Sequence, residues 1–251
     1  MMEDARILFV HIPKTGGISL FSALAAAVGH DRALRFPEIS KENRQKYLAM
    51  SDEEVRRYHL VSGHFPLAFY LKKPVKDYQI ITVLRNAVDR ELSAYFYVKG
   101  WKGHPRHATI GQMDLHQFLD HREKQGHANW QCTILSGSSN FEAAKKAIDR
   151  HRILAAPIDY LDDFGKMLGR RLAIGPLSLK RENVTESRLG VDEVPADVRR
   201  RLEALTGEDE KLYQYVRRKF EQEILGNPPG AGLDPAADGA GVRGASGKLR
   251  T

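Results

Sequence analysis

The sequence predicts an α/β domain with a central, mostly parallel sheet covered by helices on both faces. Three observations carry this reading. Residues 6–11 and 78–84 are short, nearly continuous apolar runs rich in β-branched or bulky residues, as expected of strands buried on both sides. Each run passes through a turn into a stretch with helical periodicity. The 251 residues, 42% hydrophobic and 28% charged, suit one such domain with a sizeable core.

In chain order, the first strand (6–11) leads through a Pro/Gly turn to a helix over 19–28. Residues 40–58 are polar and rich in helix formers, which predicts one surface helix. A short apolar strand ends at Ser62-Gly63, and the strand at 78–84 feeds a helix from about 88, where Leu92, Tyr95 and Phe96 share a face. Residues 100–111 read as a basic loop, followed by helical segments over 114–124, 128–136 and 140–150. A short strand at 153–156 and a helix over 160–168 come next, then two helical segments within 195–225. Residues 226–251 hold seven of the 21 glycines, three of the 11 prolines and no aromatic residue. Such a composition cannot bury enough apolar surface to offset chain entropy, so this stretch reads as a flexible tail and the domain as 1–225.

The net charge is +7 and the sequence pI about 9.4. The tail carries only Arg243, Lys248 and Arg250 against Asp234 and Asp238, so the basicity belongs to the domain and suits an anionic partner. No zinc finger, RNP-like aromatic strand or readable basic helix accompanies it, so nucleic acid is not the expected partner. The single cysteine, Cys132, excludes an intrachain disulfide and a Cys-rich zinc site. The ten histidines are scattered, with no H-E-x-x-H, and no metal is expected. No apolar run approaches the ~18 residues of a membrane span, and Glu3 and Asp4 precede the first strand. The expectation is therefore no transmembrane segment and a cytoplasmic location.

The sharpest local feature is Phe9-Val-His-Ile-Pro-Lys-Thr-Gly-Gly-Ile-Ser19. A strand enters a turn whose paired glycines let the backbone wrap a ligand, and a helix N-terminus with unpaired N–H groups follows. Lys14 adds a full charge; Thr15 and Ser19 add hydroxyls. The arrangement predicts a phosphate or sulfate cradle. It is not a Walker A loop, because Lys-Thr precedes Gly-Gly. The stretch resembles the 3′-phosphoadenylyl-sulfate (PAPS)-dependent sulfotransferases, most of all the heparan sulfate 2-O-sulfotransferase-like branch and its bacterial relatives. That resemblance implies a P-loop-like three-layer fold. It also implies that Lys14, Thr15, Gly16, Gly17, Ile18 and Ser19 surround the 5′-phosphosulfate, with Lys14 stabilising the bridging oxygen.

A second element, Val83-Leu-Arg-Asn-Ala-Val-Asp-Arg-Glu-Leu-Ser-Ala-Tyr95, puts Arg85 at the end of a strand and Ser93 about two turns into the next helix. A guanidinium there points into the crevice where open α/β sheets bind ligands and can grip a phosphate. The resemblance implies that the pair holds the 3′-phosphate, although Ala87 stands where the family has proline. Between the two elements, the Gly63-His64 pair follows a short strand, and the resemblance makes His64 the general base.

Later stretches add contacts. The resemblance gives Asn129 and Gln131 a role at the acceptor or cofactor, a structural cap being the alternative, and sets Arg181 over the 3′-phosphate. In the basic loop, His104, Arg106 and His107, with Lys99 and Lys102, form a candidate rim for an anionic acceptor. The implied activity is metal-free O-sulfation, releasing adenosine 3′,5′-bisphosphate, of a small molecule or glycan, with a carbohydrate hydroxyl as first choice. A P-loop nucleotide kinase and a basic nucleic-acid-binding protein are the rivals.

Overall fold

The computed structural model describes residues 5–125, 129–179 and 190–226, without the side chains of residues 225 and 226. The elements are β1 (Ile7–Val10), α1 (Gly17–Val28), β2 (Ala33–Phe36), α2 (Lys41–Ala49), α3 (Asp52–Arg56), β3 (Leu60–Gly63), α4 (Leu67–Tyr70), β4 (Gln79–Leu84) and α5 (Ala87–Gly100). There follow α6 (His107–Ile110), α7 (Leu115–Gln125), α8 (Trp130–Ser136), α9 (Phe141–Arg150), β5 (Leu154–Pro157), α10 (Leu161–Arg171), α11 (Ala196–Leu205) and α12 (Gly207–Gly226).

The five strands form one parallel sheet in the order β2-β3-β1-β4-β5. Every residue of β1 is buried, as a strand between two parallel neighbours and two helical layers requires. Its side chains alternate between cores. Leu8 and Val10 join Leu34, Phe36, Val61, Tyr70 and residues of α8, α9 and α12. Ile7 and Phe9 join Leu20 and Leu24 of α1 and Phe164 and Leu168 of α10. The α/β class with a parallel sheet is thus as expected.

Three local expectations change. The four-residue β2 has no predicted counterpart: it alternates half-buried and buried residues and carries Arg35, so it shows no apolar run. The single helix expected over 40–58 is two. Ser51 accepts from the Glu54 backbone N–H at 3.1 Å, and the Glu54 carboxylate accepts from the Ser51 N–H at 2.5 Å; this reciprocal cap starts α3 afresh. The loop at 100–111 contains α6. Arg181 lies outside the described residues, as does the expected tail beyond Gly226, the last residue of α12.

The order of strands fixes where a site can form. From β1 the chain moves to one side for β2 and β3, then crosses to the other for β4. β1 is therefore the switch point, and ligands of open α/β sheets bind outside the carboxyl ends of the strands there. His11 to Lys14 leave β1, His64 leaves β3 and Arg85 leaves β4, so all three sequence elements converge on that edge.

Candidate active site

The loop after β1 is shaped by two left-handed residues, Lys14 (φ 72°) and Gly16 (φ 75°). For lysine this backbone is uncommon and strained. Thr15 is fully buried, and its hydroxyl donates to the Ile12 carbonyl at 2.8 Å. This bond closes the turn. Gly16 is the N-cap of α1 and, lacking a side chain, contributes no capping hydrogen bond, at a helix end whose first N–H groups carry a partial positive charge. Gly17 lies flat against the His11 ring, where a Cβ would fall 2.1 Å from two ring atoms. Ile18 is 36% exposed beside the loop and Ser19 is buried.

Arg85, Asp89, Ser93, Tyr97 and Trp101 recur every fourth position along α5 and its flanks, a spacing that makes successive residues neighbours on a helix. The Arg85 Nε donates to Asp89 at 2.5 Å and its Nη1 to the Lys14 carbonyl at 3.1 Å. The guanidinium therefore braces the loop from beneath, with only 12% of its side chain exposed. Ser93 is buried two turns further on. At the far end, the Lys14 ammonium lies 3.7 Å from the centroid of the Tyr97 ring.

Asn129 and Gln131 occupy supporting positions, which is the structural alternative to contact with acceptor or cofactor. Gln131 is fully buried; its Nε2 donates to the Arg85 carbonyl at 2.9 Å and its Oε1 accepts from the Arg85 N–H at 3.0 Å. The Asn129 Oδ1 accepts from the Asp209 N–H in the first turn of α12 at 2.9 Å. In return, the Asp209 carboxylate accepts from the N–H groups of Gln131 and Cys132 at 2.9 and 2.8 Å. Two helix N-termini thus cap each other, and the arrangement fixes Arg85. Burial raises the Asp209 pKa, while Arg90 and these N–H groups oppose the rise.

His64 and His11 meet edge to face, with ring centroids 4.6 Å apart. His11 is also stacked on Phe9 at 5.3 Å. The Nε2 of His64 is buried and makes no hydrogen bond. Burial, followed by the charge of Arg35, lowers the His64 pKa to about 4. Burial, then His64, Arg35 and Lys14, hold His11 well below the usual histidine range. Both imidazoles are neutral at pH 7. Arg35, on the undetected β2, stands over the Phe21 ring at 4.9 Å; nothing in the local sequence marks it without that strand.

The basic loop folds back toward Lys14. Tyr97, Trp101 and His104 form a cluster of rings with centroids 5.3 to 5.7 Å apart, and Tyr97 and Trp101 are 38% and 46% exposed. The His104 Nδ1 accepts from the Arg106 N–H at 3.0 Å. Arg106 is exposed. The His107 Nδ1 donates to the Val98 carbonyl at 2.9 Å, so it ties α6 to α5. Among the described residues no group of His, Cys, Asp or Glu gathers as a metal site needs, and no helix is long and apolar enough to cross a membrane.

No protein-family model matches the chain, and no curated protein matches it. Similar solved structures include a sulfotransferase from Alicyclobacillus acidocaldarius, at 17% identity over 86% of this chain and 96% of that one, with a TM-score of 0.49. Mouse sulfotransferase SULT7A1 complexed with PAP is 13% identical over 91% of this chain and 86% of that one, with a TM-score of 0.44. Retinol dehydratase in a complex with retinol and PAP is 13% identical over 89% and 71%, with a TM-score of 0.36. These likenesses are too distant to carry a functional argument, which rests on the chain's own residues.

Proposed function

We propose that the protein is a PAPS-dependent sulfotransferase that moves a sulfuryl group to a hydroxyl, with a carbohydrate or glycoconjugate as the first-choice acceptor. One observation carries the reading: the Lys14 loop, Arg85 and His64 leave three adjacent parallel strands at the same edge of the sheet. The residues fit a nucleotide with phosphate at both ends of its ribose. The glycine-capped start of α1 and the left-handed Lys14 and Gly16 offer N–H groups to one anion. Arg85, aimed by Asp89 and by its bond to the Lys14 carbonyl, serves the other with Ser93. When bound, PAPS supplies a sulfuryl group on a phosphate leaving group.

The chain's part is orientation and charge. Lys14 and the loop N–H groups offset negative charge on the departing phosphate oxygen. His64, neutral at pH 7 and with its Nε2 unpartnered, takes the proton of the acceptor hydroxyl as the oxygen–sulfur bond forms and the bond to the bridging oxygen breaks. The carbohydrate class rests on resemblance to the 2-O-sulfotransferase-like branch and on the exposed cations Lys102 and Arg106 of the basic loop.

Thermal stabilisation by adenosine 3′,5′-bisphosphate, ATP with Mg²⁺ and duplex DNA tests the reading side by side. A ligand at 100 times its Kd adds ~2.7 kcal/mol. The bisphosphate is expected to give the largest shift; a larger one with ATP–Mg²⁺ or DNA overturns the proposal. His64→Ala is expected to keep bisphosphate binding while losing at least ~100-fold in turnover.

A further inference from the structure

The geometry points to Tyr97 as a positioning residue for Lys14: its ring holds the lysine ammonium at the mouth of the phosphate loop before a ligand arrives. This rests on the reading of that loop as a nucleotide-phosphate cradle. The resemblance assigned Lys14 its role, and nothing in it involved Tyr97.

A four-carbon side chain with a strongly hydrated ammonium samples many rotamers unless something selects one. Lys14 is held at both ends by one helix. Its carbonyl accepts from Arg85, just before α5, and its Nζ sits 3.7 Å from the centroid of Tyr97, in the last turn of α5. That is well inside the ~6 Å range over which an aromatic face attracts a cation. Trp101 and His104 flank the Tyr97 ring at 5.7 Å each, which limits the ring's own motion. The ring leaves the ammonium's charge intact, whereas a carboxylate in its place would compete with the incoming anion. A cation held against the ring is already oriented, so less ordering entropy remains to be lost on binding.

Two readouts test this. In ligand-free protein, the Lys14 ε-methylene protons, assigned by their loss in Lys14→Arg, are expected clearly upfield of the other lysines because of the Tyr97 ring current. The shift persists in Tyr97→Phe, which keeps the ring, and disappears in Tyr97→Leu. Absence of the shift in wild type, or its survival in Tyr97→Leu, overturns the proposal. Second, adenosine 3′,5′-bisphosphate is expected to bind Tyr97→Leu about fivefold more weakly than wild type, with Tyr97→Phe restored. Equal affinity in all three removes the positioning role. If wild type shows the ring-current shift but does not bind the bisphosphate, the cofactor reading fails, and the first readout still decides where Lys14 is held. Tyr97 is 38% exposed, and a thermal melt of each variant excludes a folding defect.

Discussion

Replacing Gly17 by alanine sets two effects of opposite sign against each other. Gly17 is the first residue of α1, and alanine in a helix interior is favoured over glycine by about 1 kcal/mol, less at the first position. Against this, the new Cβ would fall 2.1 Å from the Cδ2 and Nε2 of His11, where carbon contacts settle near ~3.5–4.0 Å. The ring would have to retreat by more than ~1 Å. It is buried, stacked on Phe9 at 5.3 Å and edge-on to His64 at 4.6 Å, so it has little room. Overpacking of this kind costs about 1–3 kcal/mol, and the clash wins. Gly17→Ala is expected to lose about 2 kcal/mol in urea denaturation at unchanged m-value. In a His11→Ala background the same change becomes neutral or stabilising, a coupling of about 2 kcal/mol between the two sites. A Gly17→Ala variant as stable as wild type would refute the packing of His11 against the loop. So would equal losses in both backgrounds.

Further outcomes follow from the same geometry. Gln131→Leu removes the side chain that bonds both the backbone N–H and the carbonyl of Arg85; it is expected to cost about 2–4 kcal/mol in a chemical melt and to weaken bisphosphate binding. The His64 pKa is about 4 in the folded protein against 6.5 for an ordinary histidine. The unfolded chain thus binds more protons between those values. Stability from this group is complete above pH 6.5 and is lost as pH falls toward 4, by up to about 3 kcal/mol. The lowered pKa of His11 acts in the same direction. Stability measured from pH 7 to 4 should flatten in His64→Gln; an unchanged slope contradicts the buried, neutral imidazole.

Much of this was legible because burial on both faces writes a strand as a continuous apolar run, as in Ile7–Val10 and Gln79–Leu84. β2 was not, since an edge strand of four residues with Arg35 in it looks like loop. Its loss hid the charge beside His64. The break before α3 was readable, for Ser51 and Glu54 have capping-box spacing, yet helix propensity over 40–58 masked it. The loop, Arg85 and His64 stood out because each follows a strand and matches a motif of the family that the sequence resembles. The bonds of Gln131 to Arg85 depend on α8 meeting the end of β4, and that of Asn129 on α8 meeting the start of α12. Such contacts between distant segments leave no local pattern. Tyr97 had one, four residues beyond Ser93, but only the fold brings it under Lys14.

The central claim is that Lys14 and Arg85 serve a nucleotide carrying phosphate at both the 5′ and 3′ positions. Titration calorimetry with adenosine 3′,5′-bisphosphate and adenosine 5′-monophosphate, on wild type and Arg85→Ala, tests it most directly. One charge-assisted contact is worth about 1.5–3 kcal/mol, so wild type is expected to prefer the bisphosphate by at least ~10-fold, and Arg85→Ala to lose that preference. Equal affinity of wild type for the two nucleotides would contradict the account.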